Sequence, residues 1–311
     1  MKSLLKMILG VVMVSSIAFG AKEFRIGTGG QGGNYFTIGQ DIVEACGQEV
    51  QDKTGYSINS NESTGSVENL NGLLNKKYSI GFVQADVYSF FKKKDQLNTI
   101  DNTTKKFINL YPEFLTILVP RGWKPKTNES RWSSLFSFGK NKTKPISIKS
   151  LKNQVVYAKG GAIVSAQALS YFMGLNLNIK DLSHVKGTPT GPIIIVTGSG
   201  DTRVQKLLNS GKYWLLSFNG NELANRASFY KPSKVTYIVK GKSVTANTVS
   251  IMSQVMVRKY RSKKRQNALK VLKKCLRDNI DDLVDDGSSN KWNLISVTNG
   301  WDKTQGEEDE D

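Results

Sequence analysis

Histidine and cysteine are nearly missing from this chain of 311 residues, which has one histidine, His184, and two cysteines, Cys46 and Cys275. So few ligating side chains leave almost nothing from which to build a zinc site. They also exclude a disulfide scaffold, which is short and cysteine-dense. A single Cys46–Cys275 bridge is chemically open to an exported chain, and two buried thiols behaving as small apolar residues are the simpler reading. His184 stands beside Val185 and Lys186 in a loop-like stretch. With no serine elbow or cysteine motif to serve, it reads as an ordinary loop histidine. Carboxylate pairs of the acid–base kind are missing too, since Asp281-Asp282 and Asp285-Asp286 look like a solvated helix end. These gaps argue against an enzyme, and no cofactor or metal is expected.

Long hydrophobic runs are equally scarce. The one apolar run near a terminus, Met7 to Val14, follows Lys2 and Lys6 and precedes a small-residue stretch with Ala18-x-Gly20. It is well short of the ~20 residues a membrane-spanning helix needs. A basic start, a short apolar segment and a small-residue cleavage site predict a cleavable signal peptide over 1–20 and a periplasmic protein. No cysteine lies near that cleavage point, so a lipoprotein anchor is excluded. Acidic residues are also in deficit: 26 Asp and Glu face 44 Lys and Arg, a net charge of +18. Such a balance attracts anions, nucleic acid or anionic membranes. The basic residues nevertheless fall in small scattered groups, Lys92 to Lys94, Lys140 to Lys144 and Lys259 to Arg265. No aromatic platform is interleaved with them, as a nucleic-acid groove would require. A solvated basic surface without a nucleic-acid partner is the expectation.

What the sequence does have is alternation of strand and helix patterns. Phe24 to Gly27, Tyr56 to Asn59 and Ile80 to Val83 read as strands, and each leads through a turn into a segment of helical periodicity. That repeat is the signature of a parallel sheet with crossover helices. An apolar strand from Phe114 to Val119 is stopped by Pro120, and a polar stretch containing Trp123, Trp132, Phe136 and Phe138 follows. The pattern restarts at Val155 to Tyr157, with a helix from Ala162 to Met173, strands at Pro192 to Thr197 and Trp214 to Leu216, and a strand over Val249 to Val257. An amphipathic helix over Asn267 to Leu283 closes it. A chain of this length exceeds what one core usually supports. The expected division is a leader over 1–20, one lobe over 21–119 plus 245–300, and a second over 120–244. The second lobe carries the aromatic and basic insert at 121–149, and an acidic tail occupies 301–311.

Glycines and small polar residues gather at the C-terminal ends of the expected strands, the edge where open α/β sheets bind ligands. A strand running straight into a helix leaves free backbone N–H groups and the positive end of the helix dipole, an anion site needing no charged side chain. Gly27-x-Gly29-x-x-Gly32 matches a dinucleotide fingerprint, with Glu62 placed for a ribose contact. That motif is weak alone, an exported protein meets no nicotinamide pool, and Gly30 and Gly33 extend the run beyond it.

Three blocks taken together resemble the TAXI-type solute receptors of TRAP (tripartite ATP-independent periplasmic) transporters. They are Ile26-Gly-Thr-Gly-Gly-Gln-Gly-Gly-Asn-Tyr35, Ser63-Thr-Gly-Ser-Val-Glu-Asn-Leu70 and Phe82-Val-Gln-Ala-Asp86. The resemblance covers roughly residues 24 to 91 and implies an α/β, type II periplasmic-binding-protein fold, two lobes joined by hinge strands. It also implies a receptor for a small organic anion, glutamate-like or a dicarboxylate, with TRAP-type permease subunits as partner; the sequence leaves the oligomeric state open, with a monomer favoured. The family's cleft positions fall on Gly32, Gly33, Asn34 and Tyr35, on Thr64, Gly65 and Ser66, and on Gln84 and Asp86. In that reading the glycine loop and the Thr64 to Ser66 amides hold a carboxylate, Tyr35 covers the ligand, Gln84 offers a donor and an acceptor, and Asp86 suits an amino group. Plainer roles compete: helix caps for Thr64, Ser66 and Asp86, packing for Tyr35, a tight turn for the glycines.

In the second lobe, where family members offer Gly-Ser-Gly-Thr, this chain has Lys159-Gly160-Gly161-Ala162. Both hydroxyls are lost, while the helix N-terminus remains and Lys159 supplies a charge. Arg203 is a candidate carboxylate clamp, or a surface arginine. Two other binding roles fit the same residues: a sensory module feeding a signalling partner, and a basic surface-interaction protein that uses the aromatic insert.

Overall fold

A computed structural model describes residues 22–125 and 146–301. The expected leader, the insert from 126 to 145 and the tail beyond Trp301 lie outside the described residues. The first part alternates as β1 (Lys22–Gly27), α1 (Asn34–Thr54), β2 (Tyr56–Asn61), α2 (Ser66–Leu74), β3 (Ile80–Gln84) and α3 (Ala85–Lys94). β1 pairs in parallel with β2 and β3. β3, buried along its whole length, is the continuous apolar run expected of a strand covered on both faces. α1 starts directly from Gly33 and ends at Gly55, whose left-handed φ of 71° lets its N–H return to the Gln51 carbonyl, a termination that favours glycine.

After the short α4 (Thr99–Thr103), β4 runs for 17 residues, Thr104–Pro120. The second part holds β5 (Val155–Ala158), α5 (Gly161–Met173), β6 (Asn178–Asp181), β7 (Ile193–Thr197), α6 (Thr202–Asn209), β8 (Tyr213–Leu215), α7 (Gly220–Ala224) and β9 (Tyr230–Val239). A second long strand, β10 (Lys242–Arg258), returns to the first part, which α8 (Lys263–Asp278), α9 (Ile280–Asp285) and α10 (Trp292–Asn299) complete. All ten strands of the described residues join in one sheet of order β2-β1-β3-β10-β4-β7-β5-β6, with β8 on β4 and β9 on β10.

β4 and β10 make this a molecule of two lobes, because each serves both. The start of β4 pairs with the end of β10, which in turn borders β3. Farther on, β4 pairs with β7 over Phe114 to Leu118, and β10 pairs with β9 up to Ile251. The β4–β10 register breaks between Met252 and Gln254 and again between Val255 and Met256, with Pro112 opposite Met252. Such irregularities bend a strand pair, and this one lies where the two cores divide. Phe24, Ile38, Phe82, Ile108, Val255 and Leu272 pack in one core, Leu115, Val156, Leu169, Ile194 and Ile251 in the other. The packing therefore changes over between Tyr111 and Leu115 and between Ile251 and Val255, whereas sequence alone set it at 119 and 245. The apolar run from Phe114 had looked like a strand of one lobe, and its polar lead-in, Thr104 to Lys106, hid the first half of β4.

The lobes are closed on each other. Val164 and Ala168 of α5 share an apolar cluster with Leu70, Leu73, Val83, Val87 and Phe90 of the first lobe. At its rim the Lys93 ammonium sits 4.6 Å from the centre of the Tyr171 ring and 5.1 Å from that of Phe172, a cation–π contact across the lobes. Within the first lobe Cys46 on α1 and Cys275 on α8 form a disulfide, so the plainer reading of two free thiols does not hold. Among the described residues no helix is long and apolar enough to cross a membrane.

Candidate functional site

The glycine loop between β1 and α1 is held from below. The Thr28 hydroxyl donates to the Asn61 carbonyl at 2.8 Å, and the Thr28 carbonyl accepts from Ser63 Oγ and Asn69 Nδ2. Gly33 N–H closes the loop on Gly30 O at 3.0 Å, and Gly32 has φ +76°. Glu62, a ribose contact in the dinucleotide reading, instead accepts from the Gln31 backbone and side chain, which ties the loop to the end of β2.

Thr64 and Ser66 take different parts. Thr64 donates from both its N–H and its hydroxyl to Glu68 Oε2, at 2.9 and 3.1 Å. Lys77 also pairs with Glu68 and, with these bonds, lowers its pKa to about 2. Thr64 is thus committed to the first turn of α2, though it is not the N-cap residue. That place belongs to Gly65, whose φ of 102° and ψ of −154° are costly for any side chain. The Ser66 hydroxyl is buried and accepts the Gln84 N–H at 3.1 Å, joining the start of α2 to the start of α3.

A carboxyl group occupies the middle of the inter-lobe region. Glu113, on β4 and only 6% exposed, accepts from the Tyr35 hydroxyl at 2.9 Å and from Gln84 Nε2 at 2.8 Å, both on Oε2. Burial raises its pKa to about 7 against the lowering effect of those two bonds, and the charge of Asp86 adds to the rise. Asp86 is fully buried in the first turn of α3, where its carboxylate accepts from Val87 N–H at 2.7 Å and faces the Tyr230 hydroxyl of the second lobe at 3.5 Å. Burial lifts it to about 6. Tyr35 packs edge-on against Phe82 and Tyr111, so its ring belongs to the first lobe's core while its hydroxyl reaches the site. Asn34 stands at the first position of α1, beside Tyr111.

The second lobe brings two turns to these residues. At Gly160, a Cβ would lie 3.0 Å from the Thr64 carbonyl; at Gly161, 2.9 Å from Gln84 Oε1 and 3.5 Å from Ser66 Cβ. Gly160 has φ +58° and caps α5, and Ala162 follows in its first turn. Lys159 is exposed beside this turn. On the other side, a Cβ on Gly198 would lie 3.6 Å from Asn34 Nδ2 and 3.4 Å from Lys291. Arg203, in the first turn of α6, is drawn onto Asp201, with Nη2 at 2.6 Å from Oδ2 and 3.5 Å from the Thr197 hydroxyl. Its guanidinium is paired within its own lobe.

Sequence reasoning missed Glu113. Its signal was present: a lone acid in the apolar run Leu110 to Pro120, directly after Pro112. An ionisable residue in a fully covered strand is costly unless it has partners. Starting the strand at Phe114, ten residues past its beginning at Thr104, put Glu113 outside it.

Several solved structures share the general shape. The GluR0 ligand-binding core in complex with L-glutamate is 6% identical, over 87% of this chain and 100% of that one, with a TM-score of 0.44. The periplasmic aliphatic sulphonate binding protein SsuA from Escherichia coli is 15% identical over 90% and 79%, at 0.45. A conserved Candida albicans gene product of the generic periplasmic-binding-protein fold is 11% identical over 89% and 80%, at 0.47. Scores and identities this low carry nothing about ligand or partner. No curated protein sequence matches the chain. The model of the NMT1-like family does match it, over residues 26–283, which spans both lobes and both strands between them, and the chain belongs to that family.

Proposed function

We propose that this protein is an extracytoplasmic solute-binding receptor whose two lobes swing on β4 and β10 to enclose a small organic solute with at least one anionic group. One observation supports it above the rest: the Gly160-Gly161 turn of the second lobe meets Thr64, Ser66 and Gln84 of the first. Residues singled out for ligand contact in separate stretches of sequence thus face one another across a hinge. The starts of α1, α2, α3 and α5 all border this region, and helix N-termini favour an anionic group. The three sequence blocks that resemble TAXI-type receptors favour delivery to TRAP-type permease subunits in the periplasm.

A thermal-shift and small-angle scattering screen over amino acids, dicarboxylates and sulfonates tests the proposal. A true ligand raises the melting temperature through mass action, worth about 2.7 kcal/mol at a hundredfold excess over its dissociation constant. It also shrinks the radius of gyration of any open population. Failure of every small solute to do either removes the receptor reading.

A further inference from the structure

We infer that Glu113 and the Gln84 side-chain carbonyl form a recognition point for a protonated nitrogen, which makes the ligand an amine-bearing solute rather than a plain dicarboxylate. The inference rests on the receptor reading and adds to it the chemistry of one end of the ligand.

The geometry is that of an incomplete acceptor cluster. Tyr35 and Gln84 both spend their donors on the same oxygen of Glu113, Oε2. The other half of the Gln84 amide, Oε1, is buried and has no hydrogen-bond partner among the described residues. It faces the second lobe, where Gly161 is its neighbour. An orphaned carbonyl in such a place is costly to the fold. Among the described residues, the charged and titratable groups around Glu113 are Asp86 from α3, Tyr35 from α1, Tyr111 from its own strand, and Arg203 from α6. Arg203 is the only cation among them, and Asp201 already holds it.

Glu113 therefore has donors but no counter-ion of its own. A buried carboxyl in that position stays protonated near neutrality, as its elevated pKa indicates, until a cation arrives. An ammonium group set between Gln84 Oε1 and Glu113 would satisfy the orphaned carbonyl and let the carboxylate ionise. A ligand carboxylate in the same place would find no proton on the Gln84 carbonyl and would hold Glu113 in its protonated form. Anionic groups belong where backbone N–H groups are free, at the helix starts and the glycine turns.

The test compares α-amino acids with their deamino counterparts, together with linear diamines, by calorimetry on the wild-type chain and on Glu113→Gln. Amine-bearing probes should bind about ten- to a hundredfold tighter than their deamino counterparts, the worth of one charge-assisted contact, and the ratio should fall to near unity in the variant. Because Glu113→Gln alters a buried group, a second measurement uses the wild type alone: titration at pH 6.5 in buffers of different ionisation enthalpy. Ammonium binding should release up to about one proton as Glu113 ionises. Deamino acids that bind as tightly as amino acids, with no proton released, would overturn the inference and leave the receptor intact. Absence of binding by any probe would remove both.

Discussion

Glu113 and Asp86 make the protein sensitive to pH in an unusual direction. An acid whose folded pKa is raised binds more protons folded than unfolded between its two pKa values, so stability falls as pH climbs through that window. For Glu113 the window runs from the ordinary 4.5 to about 7, and for Asp86 from 3.8 to about 6. The ligand-free protein should lose stability between pH 5 and pH 8 in urea melts, with Glu113 accounting for up to about 3 kcal/mol. Glu113→Gln should flatten most of that slope, and a slope unchanged by the substitution would place the titrating group elsewhere. Tyr35→Phe keeps the ring contacts with Phe82 and Tyr111 and deletes one of the two donors to Glu113. It should cost about 1 kcal/mol at pH 5 and about 2 at pH 8, since a bond to an ionised acceptor is the stronger; equal losses at both pH values would contradict it. The glycine blocks marked the rim of this site in the sequence. Glu113 was legible only as a lone acid in an apolar run; its role comes from Gln84 and Tyr35, which are 29 and 78 residues away.

Elements were easier to read than residues, and the exceptions share a cause. β1, β3, α1 and α5 carry apolar patterns that burial on one or both faces demands, and those patterns sit in the sequence. β6, Asn178–Asp181, and β9, with Pro232 near its start, lie on the rim of the sheet. Rim strands face water and keep polar residues, so they resemble loops. The C-terminal helices were half legible: α8 by its apolar face, α10 not at all. What fixes α10 is Asp41 of α1, whose carboxylate accepts from Ser288 N–H and Ser289 N–H at 3.1 Å each and from Trp292 Nε1 at 2.7 Å. Asp41→Ala strands three donors, two of them on buried residues, and should destabilise the protein by about 3 kcal/mol or more, read as a lower urea midpoint with solute binding retained at low temperature. The Cys46–Cys275 bridge does similar work between α1 and α8 across a separation of 229 residues. Replacing both cysteines by serine should cost about 5 kcal/mol on the chain-entropy argument. Because bridge and partners all lie in the first lobe, solute affinity measured on the folded variant should not move.

At the scale of the whole molecule, the two lobes share their hinge strands, and closure depends on how closely their turns can approach. Gly161 is the position where that approach can be altered with least damage to either lobe. It opens α5 with a φ outside the left-handed range, so an alanine is acceptable to the backbone and improves the helix by up to about 1 kcal/mol. Its Cβ, however, would come within 2.9 Å of Gln84 Oε1 in the closed arrangement. Gly161→Ala should therefore leave the melting temperature of the ligand-free chain equal or slightly higher, while the closed population shrinks. A closed state weakened by about 1.4 kcal/mol lowers apparent affinity tenfold. Small-angle scattering should show a larger mean radius of gyration in the variant, with the difference closing as solute saturates. A variant that binds solute as tightly as the wild type would mean that the Gly160-Gly161 turn and the Gln84 end of β3 do not need to meet for capture, and the hinge would then have to close on some other pair of surfaces.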